Sequence, residues 1–468
     1  MASKRPLRRL CCSWLGVLLL LAGSRAAPGE TRLFSFTTSK GLAVKVLQDN
    51  GMPFIHAQLY IYLDSGRQNH STLAIAQLAV MNMFERGLNS PSSNLMDLLQ
   101  RQGNDFAIER TPEFVKISMN LLPDRLSSFS RLLKEIFNYQ AFHLRNFNRS
   151  KEDFWSFFKR NKEWRKEVAL MLAYQQVINN FYFGQAFLQR ETLAGINLAQ
   201  LRSFLLRTFR PDNALLILKG AVNPYFILGM IEKDLLPVSS RPVPAARAPL
   251  PVNAARRIFI LNVNSGELPT VFWFDIAPAA TDANFLPHAI GNFTLFGFPG
   301  GRIYRAERGP FRMGGYKVET EPVHFKNFTL FCNSLRLNYG DLENFLLLVE
   351  QERRKLSARP IQRREYLDAL NFYVGQAQVG TSRFSHDLQG EINRFSGQGA
   401  GSSARRVGPE LVQEASFSRV LQALDEQMGY RQKAGAREKG IVVLVGNANL
   451  ILSGLKLIKT EALELSLD

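Results

Sequence analysis

Two stretches half a chain apart read alike, and that repetition constrains the fold more than any other feature. "LLILKGAVNPYFILGMI" and "VVLVGNANLILSGLKLI" each run an apolar strand into a glycine (Gly220, Gly446), follow it closely with Asn, and continue as an apolar helix. The elements before each ending keep the same order. In the first half, "GLAVKVLQDNGMPFIHAQLYIYLDSG" alternates on both sides of Asn50-Gly51, the pattern of a hairpin. A helix over 73–87 follows, then the strand "FVKISMNLL". In "DRLSSFSRLLKEIFNYQ", Leu126, Phe129, Leu133, Ile136 and Phe137 share one helical face. A polar-aromatic helical stretch covers 147–182. After the Pro- and Ala-rich basic segment "PVSSRPVPAARAPLPVNAARR" the grammar restarts. Strands "RRIFILNV" and "TVFWFDIAP" lead to a helix over 284–296, the strand "HFKNFTLFCNSLRL", and helices in "DLENFLLLVEQERRKLS" and "REYLDALNFYVGQ". The expectation is an α+β fold: two homologous domains (32–235 and 257–468), each a mainly antiparallel sheet against helices, joined by a linker at 236–256.

Composition narrows the class. Of 468 residues 46% are hydrophobic and 21% charged, the balance of a folded chain with sizeable cores. The 35 Phe residues point to wide helix-on-sheet contacts. Residues 1–26 have the form of a secretory signal peptide: Lys4, Arg5, Arg8 and Arg9 precede an apolar run, and Ser24 and Ala26 supply the small residues just before the cleavage position. The run lacks the polar face of a mitochondrial presequence, so export to a periplasm or to the medium is expected. Cys11 and Cys12 leave with the leader. Cys332 stays, in an apolar strand, as a buried packing residue without a disulfide partner. Four Asn-x-Ser/Thr matches (Asn69, Asn148, Asn292, Asn327) are glycan acceptors only in a host that glycosylates.

The net charge is +18, from 58 Lys+Arg against 40 Asp+Glu. The basic stretch "RNFNRSKEDFWSFFKRNKEWRKE" interleaves aromatics with cations but mixes in acids, which favours an amphipathic helix over a nucleic-acid site. No nucleic-acid partner is expected; a basic chamber wall that selects acidic peptides and a weak contact with an anionic membrane surface are the remaining uses of the charge.

The order and spacing of the first alternating segment, the helix after it, "FRPDNALLILKGAVNP", "GFPGGRIYRAERG" and the closing "VVLVGNANL" resemble the M16 metallopeptidase family, which includes pitrilysin, insulinase and the mitochondrial processing peptidase. The resemblance implies a zinc site built from H-x-x-E-H on the first long helix and a Glu from a second helix. Two imidazoles and a carboxylate hold the ion with one position open, and the motif Glu takes a proton from metal-bound water. In "QLAVM" the His positions hold Gln77 and Met81, the general-base position holds Val80, and the third ligand position holds Phe157. An amide oxygen and a thioether are poor ligands for zinc, and none of these side chains ionises. The helix is expected to be core instead, with Ala76, Val80, Met83 and Phe84 facing inward.

The second half keeps more of the pattern. By the resemblance, Arg308 and Tyr316 in "GGRIYRAERGPFRMGGYKVE" are the Arg and Tyr that hold a substrate backbone; Arg302 matches the helix-start Arg, and another register would put Arg305 in the substrate role. A guanidinium and a phenol can hydrogen-bond a peptide carbonyl without a metal. These features imply an exported, non-catalytic M16-like subunit with no cofactor of its own. It would bind peptide and complete the chamber of a partner peptidase that carries H-x-x-E-H and zinc. The rival expectation is a purely structural subunit of an envelope complex.

Overall fold

The computed structural model describes residues 32–63, 70–85, 105–111, 113–137, 147–154, 164–178, 190–235, 257–263, 267–280, 282–297, 300–307, 318–325, 327–358, 361–381, 416–428, 440–455 and 463–466. The expected leader (1–26) and the expected linker (236–256) lie outside them.

Two six-stranded sheets organise the molecule. The first comprises β1 (Arg32–Thr37), β2 (Ala43–Gln48), β3 (Ile55–Tyr62), β4 (Asp105–Arg110), β5 (Phe114–Leu121) and β6 (Ala214–Gly220), in the spatial order β1-β2-β6-β3-β5-β4. The second comprises β7 (Arg257–Asn262), β8 (Thr270–Pro278), β9 (Glu319–His324), β10 (Phe328–Arg336), β11 (Ile441–Gly446) and β12 (Leu463–Ser466), ordered β12-β7-β11-β8-β10-β9. Five strands of one order map onto five of the other, β2 onto β7 and β6 onto β11 among them. The repetition seen in the sequence is therefore a repeated sheet, and both sheets are mainly antiparallel.

The hairpin expected across Asn50-Gly51 does not form. β6 inserts between the two strands, parallel to β2 and antiparallel to β3. Every residue of β6 is buried, as is every residue of β11. A strand apolar on both faces belongs at a sheet centre, and that demand outweighs the local turn signal. At the end of β6 the backbone makes a tight approach: Gly220 has φ +139°, and a Cβ there would lie 2.4 Å from the Phe54 carbonyl oxygen.

The first half contributes helices α1 (His70–Glu85), α2 (Leu126–Phe137), α3 (Trp164–Val177), α4 (Leu198–Thr208) and α5 (Pro224–Asp234). The second contributes α6 (Phe285–Asn292), α7 (Arg302–Glu307), α8 (Leu342–Ala358), α9 (Arg363–Thr381), α10 (Phe417–Met428) and α11 (Ala448–Gly454). α5 and α11 start alike, as the matched sequences require: Asn223 Oδ1 accepts from Tyr225 N and Phe226 N, and Asn447 Oδ1 from Leu450 N. Asn292 is buried and exchanges amide bonds of 3.2 Å with Asn333, so it offers no glycan acceptor in the folded chain.

α3 is the element that joins the halves. Val168 through Tyr174 and Val177 are all buried, because α3 packs on β8 and β11 of the second sheet within an apolar cluster that also holds residues of the first half. A helix apolar all round belongs between two layers, and each large aliphatic side chain buried there contributes about 1.5–3 kcal/mol. Tyr174 stacks against Phe325 and Phe328, with ring centroids 4.8 and 5.6 Å away. Phe259, Phe272, Phe274 and Cys332 line the same sheet face. Burial pushes the Cys332 thiol up to about 12, so it stays a protonated packing group. Among the described residues no helix is long and apolar enough to cross a membrane.

Candidate functional site

α1 carries the positions that matter. Every residue from Ala74 to Met83 is buried, so the helix has no wet face, and Ala76, Val80 and Met83 lie in the core as expected. Met81 is 2% exposed and packs with Val80 in the same apolar cluster. Gln77, 3% exposed, carries the polar group that interrupts this run, and its Oε1 accepts a 2.8 Å hydrogen bond from Arg110 Nη1.

Arg110 closes β4. Phe106, Ile108 and Arg110 pair with Met119, Ile117 and Val115 of β5, and the β5 partners all belong to the core. The two-residue period of the strand thus aims a guanidinium at the helical layer. Its Nε lies 3.5 Å from Oε1 of Glu167 in the first turn of α3; the Arg110 side chain is 8% exposed and that of Glu167 14%. Glu113, just beyond the β4–β5 turn, is also buried, and its Oε1 accepts from Tyr174 Oη at 3.2 Å.

The same turn of α3 reaches the second half. Arg165 Nη1 lies 2.8 Å from Glu267 Oε2, and Lys166 Nζ bonds Glu321 Oε2 on β9. Three consecutive charges therefore each meet an opposite charge, two across the joint and one back toward α1.

These residues do not fit a zinc ion. Gln77 offers an amide oxygen already engaged by a cation, Met81 a buried thioether, and Val80 no base. Among the described residues no three His, Cys, Asp or Glu side chains converge as a ligand set. Phe157 lies outside the described residues.

Arg308 and Tyr316 also lie outside them, but both flanks of their segment are fixed. On α7, Arg302 donates through Nε and Nη2 to Glu365 of α9 at 3.3 and 3.0 Å, and Arg305 bonds the same carboxylate. Gln362 N donates to it as well, at 2.9 Å. Tyr304 Oη both accepts from Val318 N and donates to Val318 O, at 3.0 Å each. Arg305, half exposed, is thus tied to Glu365, which weighs against the register that makes it the substrate Arg.

Burial alone would push the Glu365 carboxyl up; the bonds from Arg302, Gln362 N and Arg305 outweigh it and hold the group below its usual 4.5. A depressed carboxyl stabilises the fold above its unfolded-state value and loses that contribution as pH falls through the folded-state value. Glu365→Gln is therefore expected to melt below the parent at pH 7, and the gap to close as pH falls below the carboxyl's usual 4.5. Melting curves across that range check the sign; a gap that widens toward acid contradicts it.

Sequence reasoning missed Arg110, Glu113, Glu167 and Tyr174. One signal was available: in "DFAIER" the arginine shares strand parity with Phe106 and Ile108, so a charge occupies an inward position.

No protein-family model and no curated protein matches the chain. Solved structures do match. One is the peptidase M16 inactive domain from Pseudomonas fluorescens, with a TM-score of 0.67 and 16% identity, covering 89% of this chain and 98% of that one. The first half of the periplasmic protease PqqL from Escherichia coli matches with a TM-score of 0.60 and 14% identity, over 93% of this chain and 99% of that one. A chain of Complex III2 from Candida albicans matches with a TM-score of 0.64 and 10% identity, over 91% and 100%. At these identities the likeness establishes the fold. The chain has the two-half M16-like fold.

Proposed function

We propose that this chain is an exported, non-catalytic M16-like subunit that binds peptide and completes the chamber of a zinc-bearing partner peptidase. One observation carries the reading: the helix that bears the metal motif in M16 peptidases is here solid core, with Gln77, Val80 and Met81 buried and Gln77 bonded to Arg110. A chain that keeps the whole two-half fold while filling this position with packing retains shape and loses hydrolysis. The Pseudomonas fluorescens neighbour, described as an inactive domain, and the PqqL half from a periplasmic protease support the reading by analogy. Export rests on the leader-like first 26 residues. Peptide binding rests on Arg308 and Tyr316, whose segment is flanked by the Glu365 cluster and the Tyr304 bonds to Val318. Zinc and the general base belong to the partner.

The test is peptide hydrolysis by this chain reconstituted with an M16 subunit that carries H-x-x-E-H. Arg308→Ala combined with Tyr316→Ala is expected to lower the rate of the pair about a hundredfold, the scale of losing donors that polarise a carbonyl. Neither subunit alone hydrolyses the peptide at the rate of the pair.

The likeness to a chain of Complex III2 favours a second reading, a structural subunit that holds an assembly together. Full activity of the pair after both substitutions selects that reading over the first.

A further inference from the structure

The contacts around Gln77 form a cross-link. Arg110 Nη1 donates to Gln77 Oε1 on α1, and Arg110 Nε faces the Glu167 carboxylate on α3. A bound metal ion at this position would perform the same mechanical task, joining a ligand on one helix to a carboxylate on another. We propose that the Arg110 guanidinium is the resident cation of this position: it ties α1 to α3 and keeps metal out.

The physical grounds are charge and connectivity. A divalent ion at Gln77 would share its ligand with a guanidinium cation, inside a buried site where two cations repel strongly. Glu167, the carboxylate that Arg110 faces, is already engaged by that cation. The cross-link also reaches further than α1. Because Arg165 and Lys166 pair with Glu267 and Glu321, a guanidinium that fixes the first turn of α3 fixes the seam between the halves. Metal exclusion here is therefore a property of Arg110 as well as of positions 77, 80 and 81.

Restoring the motif with Gln77→His, Val80→Glu and Met81→His tests this, with and without Arg110→Ala, by zinc titration and metal analysis of the full chain after dialysis. The three substitutions alone are expected to leave zinc binding weak. Adding Arg110→Ala removes the competing cation and is expected to tighten binding about a hundredfold. Stoichiometric tight zinc with Arg110 in place, or no gain when Arg110 is removed from a folded variant, overturns the proposal. A cycle that avoids motif restoration covers the case of poor folding. Arg110→Met alone is expected to lower the melting temperature, and adding Gln77→Leu and Glu167→Leu to recover more than half of the drop. Additive losses across that set overturn the cross-link.

Discussion

Asp275→Ala is expected to destabilise the second half by about 3–5 kcal/mol, because it removes the carboxylate from a buried ion pair with Arg353. Asp275 lies on β8 with its side chain toward α8, where its Oδ1 lies 2.7 Å from Arg353 Nη1 and accepts from Trp273 Nε1 at 3.4 Å. The side chains are 3% and 4% exposed, and the guanidinium also sits 5.4 Å from the centre of the Trp273 ring. In such a setting the pair adds little over an apolar pair of the same shape, while half of it is costly. The double change Asp275→Leu with Arg353→Met is therefore expected to recover most of the loss. Urea unfolding followed by tryptophan fluorescence reads both. A single-substitution loss under about 1 kcal/mol would contradict this.

Gly220→Ala is the second large effect, about 2–4 kcal/mol. A side chain there must accept φ +139° and a Cβ placed 2.4 Å from the Phe54 carbonyl oxygen and 3.0 Å from the Ile55 Cα, all of it backbone in the central strands. Gly446 is its counterpart in the second half, and the reason for glycine differs. Its Cβ would come 3.2 Å from Pro269 Cβ and from Tyr339 Oη, contacts that relax by small shifts. Gly446→Ala is expected to cost only about 1 kcal/mol. Equal losses at the two glycines would contradict this difference.

The two glycines show how far sequence reasoning reaches. Their matched surroundings announced the duplication, and the duplicated sheets followed. The repeat did not reveal which glycine is conformationally forced, since that depends on a strand more than a hundred residues away. The hairpin failed for the same reason. Alternation and Asn50-Gly51 are local signals, whereas the insertion of β6 is decided by a fully apolar strand that needs neighbours on both sides. The burial of Ala76, Val80 and Met83 was legible because an apolar run at helical spacing leaves little choice. The Arg110 contact was not, because Gln77, Arg110 and Glu167 come from three elements that meet only when the sheet and α3 are in place. Helix α1 was read as the place of a missing metal; the structure adds Arg110, which donates to Gln77 there.

Metal analysis of the purified full chain, equilibrated with excess zinc and then dialysed, tests the central claim most directly. Far less than one zinc per chain is expected, with no change on Gln77→Ala or Met81→Ala. One tightly held zinc per chain, lost on either substitution, would contradict it.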